Sequence, residues 1–126
     1  MARDQSRVVV GWKLDPSERA ELLARIPPVY PGKIADHVTL AKVAPDTPLP
    51  DETEGAIVGT VDDDAGLQAL VVSIGGATGR LDGGTYHITW SLGRGRQPIE
   101  SNDVLARFGW QMLPEPIPIR LIPARF

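Results

Sequence analysis

Ile34-Ala35-Asp36-His37-Val38-Thr39-Leu40-Ala41-Lys42-Val43 reads as a β-strand, with His-Val-Thr-Leu at its centre. Side chains two apart in a strand share a face. His37 and Thr39 therefore project together, with Val38 and Leu40 on the opposite side. The pattern returns fifty residues later in Thr85 to Leu92, where His87 and Thr89 stand against Ile88 and Trp90. Lys42 has the opposite parity to His37, so it is expected to face away. Two polar faces, each backed by an apolar one, suit a cleft lined by two strands over a core.

The remaining chain supplies short elements around these strands. Ser6 to Leu14 carries Val8-Val9-Val10 and Trp12 and reads as a strand. Asp15-Pro16-Ser17-Glu18 opens a helix: Asp15 is placed to cap, Pro16 suits the first helical position, and Glu18 suits a capping box. Leu22, Leu23 and Ile26 then share a face until Pro27-Pro28 stops the helix. Gly55 to Asp62 and Leu67 to Ile74 are apolar runs joined by Asp63-Asp64-Ala65-Gly66, a hairpin turn. Gly75 to Gly84 lacks the lysine and spacing of a phosphate-binding loop and carries no dinucleotide fingerprint, so it reads as a plain loop. Ser101 is read as the cap of a helix reaching Phe108, and Asn102 likewise belongs to its start. Glu115 to Phe126 alternates Ile117, Ile119 and Leu121, but Pro116, Pro118 and Pro123 demote it to an edge strand or a covering segment.

Composition narrows the function. The 126 residues suit a single domain spanning 1–126, and 13 Gly with 12 Pro favour an α+β protein of short elements over a helical bundle. A net charge of −3 argues against a broad grip on duplex nucleic acid, while a strand end or a free nucleotide remains open. The absence of cysteine excludes disulfides, thiolate metal sites and cysteine nucleophiles. Met1-Ala2-Arg3-Asp4 leads into an apolar run too short for a signal peptide or a membrane span. The expected location is therefore the cytoplasm, with no membrane partner and a monomeric state.

Both histidines of the chain lie in the repeated pattern. Two imidazoles suit a general base and a general acid near neutral pH, and two threonine hydroxyls suit donors to phosphate oxygens. A displacement at a cyclic phosphodiester needs this set and neither metal nor cofactor, and no metal ligands are assigned. A single His-x-Thr more often marks a half-exposed strand; two copies that use every histidine reverse that reading.

On these residues the chain resembles the 2H phosphoesterase superfamily, whose signature is a pair of His-x-Thr/Ser motifs. Ala35-Asp36-His37-Val38-Thr39-Leu40, Tyr86-His87-Ile88-Thr89-Trp90 and Pro98-Ile99-Glu100-Ser101-Asn102 are similar to the cyclic phosphodiesterase domain of fungal-type tRNA ligases and its stand-alone relatives. The resemblance spans Val8 to Leu105. It implies a bilobal α+β fold in which antiparallel sheets form a central cleft with helices outside. It also implies hydrolysis of 2′,3′-cyclic phosphates, on nucleotides or RNA 3′ ends, to 2′-phosphates, with His37, Thr39, His87 and Thr89 catalytic. The chain is shorter than the larger members and has no kinase or ligase domain, which counts against a role in tRNA splicing. Two alternatives stand beside this reading: a 2H enzyme acting on an ADP-ribose-type cyclic phosphate, and a non-catalytic nucleotide-binding module. Beyond the four motif residues, Tyr30 is a candidate to stack on a base or to be a core or loop aromatic. Arg94 and Arg96 are candidates to reach a phosphate or to sit in a solvated turn.

Overall fold

The computed structural model describes residues 7–126. Met1 to Asp4, and the Ser6 end of the first strand, lie outside the described residues. The fold is α+β, a curled half-barrel of antiparallel strands with two helices. In chain order it contains β1 (Val8–Leu14), α1 (Pro16–Arg25), β2 (Gly32–Lys33), β3 (His37–Val43), β4 (Glu54–Asp62) and β5 (Leu67–Ser73). β6 (His87–Leu92), α2 (Glu100–Phe108) and β7 (Gln111–Arg125) follow. The strands form one sheet in the order β2-β6-β5-β4-β7-β1-β3. Among the described residues no helix is long and apolar enough to cross a membrane.

Local chemistry explains most element boundaries. Asp15 accepts a hydrogen bond from the Glu18 amide and Pro16 occupies the first turn of α1, as the sequence leads one to expect. The β4–β5 turn is held by Asp63, whose carboxylate accepts from the amides of Ala65 and Leu67 at 2.8 and 3.0 Å. Two cores back the sheet. Leu22 of α1 packs with Trp12, Val38, Leu70, Ile88 and Trp90, whereas Val104 and Leu105 of α2 pack with Val61, Leu67, Ala69 and Val71. β5 is thus buried on both faces. Both buried indoles find acceptors: Trp12 donates to the Glu52 carbonyl and Trp90 to the Ile26 carbonyl.

Two expectations are corrected. The run Ile34 to Val43 is not one strand, because Ala35 adopts a left-handed φ of 44°. Ile34 and Ala35 bond to Trp90 and Thr89 of β6, and only from His37 onward does the chain pair with β1. This kink carries the chain from one end of the sheet to the other and curls it. Arg19 holds the kink by donating to the carbonyls of Ala35 and Ile34 at 2.6 and 3.2 Å.

β7 is also not an edge strand, since it lies between β4 and β1. Its proline-rich half pairs with β4 and its last five residues pair with β1. The Leu121 amide donates to Thr53, whereas the Arg120 amide points the other way, to the Glu18 carboxylate. Pro118 has the orientation of Arg120 and Pro123 that of Leu121. Each missing N–H therefore faces the side that has no strand beside it, and no ladder bond is lost.

Candidate active site

β3 and β6 bring the two His-x-Thr motifs into one open cleft of about 430 Å³, lined by His37, Thr39, His87 and Thr89. The register explains the orientation of the second motif. Val71 and Ala69, which pack under α2, oppose His87 and Thr89, while Leu70 of the other core opposes Ile88. Val38 is fully buried beneath the first motif, with His37 and Thr39 half-buried above it.

Each imidazole is oriented through Nδ1. In His87, Nδ1 lies 2.8 Å from the Thr85 carbonyl oxygen, which only accepts, so Nδ1 carries the proton. In His37, Nδ1 lies 3.0 Å from the Asp36 carboxylate, which Lys13 also contacts at 2.6 Å. Nε2 is thus the nitrogen left to each ring at the cleft. Burial pushes the His87 pKa down, reinforced by the charges of Arg80 and His37 and only partly offset by the Thr85 carbonyl. Burial opposes ionisation of Asp36, yet the hydrogen bonds from Lys13 and His37 outweigh it and hold its carboxyl below the usual range. Phe126 packs on His37 with ring centroids 4.5 Å apart and lies under the Lys13 ammonium.

Thr89 is held from α2. Its Oγ1 lies 2.8 Å from the Ser101 hydroxyl and 3.4 Å from the Pro98 carbonyl oxygen. Ser101 is therefore not the helix cap: it is fully buried inside α2, whose capping position is Ile99 with no side-chain cap. When the Ser101 hydroxyl donates to Thr89, the Thr89 proton is left for the Pro98 carbonyl or for an acceptor in the cleft.

Several candidates settle differently from the sequence reading. Lys42 lines the cleft rather than facing away. Val10 pairs with Ala41 and Gly11 with Thr39, so Leu40 is an extra residue in a bulge that reverses the parity of everything after it. Gly11 makes the bulge possible, because a Cβ there would collide with the Val38 carbonyl. Tyr30 is outside the cleft lining and donates its hydroxyl to Asp62 at 2.5 Å. Arg96 is also outside, tied to Asp63 and Glu100 at 2.7 and 2.8 Å, where it fastens the β4–β5 turn to α2. Arg94 is exposed in the turn after β6 and does not line the cleft.

Arg80 of the glycine-rich loop does line it, a residue that the plain-loop reading passed over. Nothing in the local sequence marks Arg80, since its approach depends on Asn102 across the fold. Asn102 itself, read only as part of a helix start, also borders the cleft. Among the described residues no three His, Cys, Asp or Glu side chains converge as a metal-ligand set. Comparisons with protein-family models, with curated proteins and with solved structures find no match to this chain.

The cleft can therefore offer a neutral imidazole, a second imidazole backed by a carboxylate, two threonine hydroxyls and three cationic side chains, two of them paired with Asp36 and Asp82. That inventory suits proton transfer to and from an anionic, phosphate-like substrate.

Proposed function

We propose that the protein is a metal-independent 2′,3′-cyclic phosphodiesterase with the bilobal architecture of 2H phosphoesterases, acting on nucleotides or RNA 3′ ends. The observation that carries this reading is the matched pair of imidazoles in one cleft. Each has Nδ1 committed to a fixed acceptor, and each has a threonine two residues on that lines the same cleft.

The roles follow from the two acceptors. His87, buried and with its pKa pushed down, is the neutral base. Its Nε2 takes a proton from water as the water oxygen bonds to phosphorus. His37 is the acid, because the Asp36 carboxylate beside Nδ1 pairs with the charge of an imidazolium. Its Nε2 gives a proton to the 3′ oxygen as the P–O3′ bond breaks, and the 2′-phosphate is released. Thr39 and Thr89 donate to the non-bridging oxygens, where negative charge builds in the transition state.

Turnover of a 2′,3′-cyclic mononucleotide in the presence of EDTA tests the proposal. Chelator-resistant release of the 2′-phosphate is expected. An enzyme that binds the nucleotide and leaves it intact is a binding module instead.

A further inference from the structure

Arg80 is the most tightly built cation of the cleft. Its side chain is only 8% exposed although it belongs to a surface loop. Nε donates to Asp82 at 3.2 Å and Nη2 donates to Asn102 at 2.9 Å, across the fold in α2. The loop closes around it: the Arg80 amide donates to the Gly84 carbonyl at 2.8 Å, and Asp82 accepts from the Gly84 amide at 2.8 Å. Glycine at position 84 leaves the guanidinium its place, since a Cβ there would press on it and shift it. Nη1 has no hydrogen-bond partner among the described residues. A guanidinium held from two sides and nearly buried is preorganised to receive an anion oxygen at its open Nη1 edge.

The scissile phosphate does not account for this group. In the proposed reaction the two threonines donate to the non-bridging oxygens and the two imidazoles move the protons, and neither role requires Arg80. Lys42 adds a further cation on the β3 wall. Lys13 is paired with Asp36 and Arg80 with Asp82, so what singles out Arg80 is its fixed, nearly buried position and its open Nη1, not a surplus of charge.

We propose that Arg80 is an anchor for a second phosphate, flanking the cyclic one, so that the preferred substrate is a cyclic phosphate that carries a further phosphate on the same molecule. Two sources share this chemistry: a 5′-phosphate on a mononucleotide and the internucleotide phosphate of an RNA 3′ end. The inference rests on the hydrolase reading for its substrate and on Arg80 for its selectivity.

The test compares kcat/KM for adenosine 2′,3′-cyclic phosphate, for the same compound with a 5′-phosphate, and for a diadenosine ending in a cyclic phosphate. One or both phosphate-bearing substrates are expected to be favoured on the order of tenfold to a hundredfold, the range of charge-assisted hydrogen bonds. Whichever is favoured identifies the source. In Arg80→Gln the ratio should collapse toward one, chiefly through KM, while Arg80→Lys should keep part of it. Equal preference in the unaltered protein overturns the proposal. So does an equal loss on all substrates in Arg80→Gln, or a ratio abolished by Lys42→Met and untouched by Arg80→Gln. Calorimetric binding of adenosine 3′,5′-bisphosphate against adenosine 3′-monophosphate needs no turnover. A bisphosphate preference that Arg80→Gln removes, in a protein that hydrolyses none of the substrates, retains the anchor and refutes the hydrolase.

Discussion

His87 donates its Nδ1 proton to the carbonyl oxygen of Thr85, 2.8 Å away and two residues back along the chain. The carbonyl fixes the tautomer and only partly offsets the burial that disfavours a charged ring. His87 is thereby distinguished from His37, whose acceptor is a carboxylate.

The pH profile should carry that distinction. The base limb belongs to a group whose pKa lies below the ordinary histidine value of 6.5, so activity should rise with pH beneath that value. It should fall again once the acid loses its proton, giving a bell whose two limbs belong to the coupled pair. Rate measurements across pH 4–9, with and without EDTA, check this. A chelator-sensitive rate climbing steadily to alkaline pH would fit a metal-bound water instead.

Stability should respond to the same group. Because the folded pKa of His87 is depressed, the unfolded chain takes up a proton first as pH falls. The contribution of neutral His87 is complete above about 6.5 and is lost as pH falls toward the folded pKa. The depressed carboxyls of Asp36, Asp63 and Asp82 start from 3.8 and act in a lower window. Melting temperatures between pH 7 and pH 5 should therefore fall in the parent protein and fall less in His87→Asn. Identical slopes would mean that His87 titrates freely in the fold.

In the proposed mechanism, removing either imidazole removes one proton-transfer partner, worth about 10²–10⁴ in rate. His37→Ala and His87→Ala should each lose that much turnover and remain folded by circular dichroism. The double variant should be only slightly slower than the worse single one, since groups acting as a unit are not additive. Near-parental activity in either single variant would assign the chemistry elsewhere.

Ser101 acts through Thr89. Under the proposed hydrolysis, Thr89→Val removes a donor to the phosphate and should cost about 10²–10³ in kcat. Ser101→Ala should leave KM almost unchanged and lower kcat by less, roughly tenfold, a value consistent with one lost hydrogen bond of about 1–1.5 kcal/mol. Ser101→Thr should recover part of the loss. A change in KM alone would make Ser101 a substrate contact rather than a positioning residue.

Gly11→Ala puts a methyl against the Val38 carbonyl and forces β1 and β3 apart. Overpacking of this kind typically costs about 1–3 kcal/mol, readable as a lower denaturation midpoint in urea. The displaced strand carries His37 and Thr39, so kcat should drop with it. An unchanged midpoint would show that the bulge has room to spare.

These positions also mark what the sequence could disclose. Period-two alternation placed His37 with Thr39 and His87 with Thr89, because neither interval contains a bulge. One residue beyond Thr39 the rule failed for Lys42, since the extra residue at Leu40 is dictated by contact with Gly11, twenty-nine positions away. Ser101 has the composition of a cap but is drawn inside α2 by Thr89, a partner no local window contains. The prolines of β7 argued for an edge strand, and each half of β7 is indeed an edge on one side; the change of partner midway was invisible in composition.

That change of partner has a kinetic consequence. β7 comes last of the seven strands in chain order, yet among the described residues it is the strand that pairs with both β1 of the β1–β3 pair and β4 of the β4–β5–β6 ladder. The hairpin β4–β5 can zip locally, whereas the β1–β3 pair, tied to β6 through Ile34 and Ala35, gains its strand pairing to the main ladder when residues 111–125 dock. Pairings of such sequence separation incur a large loop-closure entropy, so assembly should be slow and late. The nascent chain would then expose a half-built cleft and two raw sheet edges, a state prone to exchanging strands between copies.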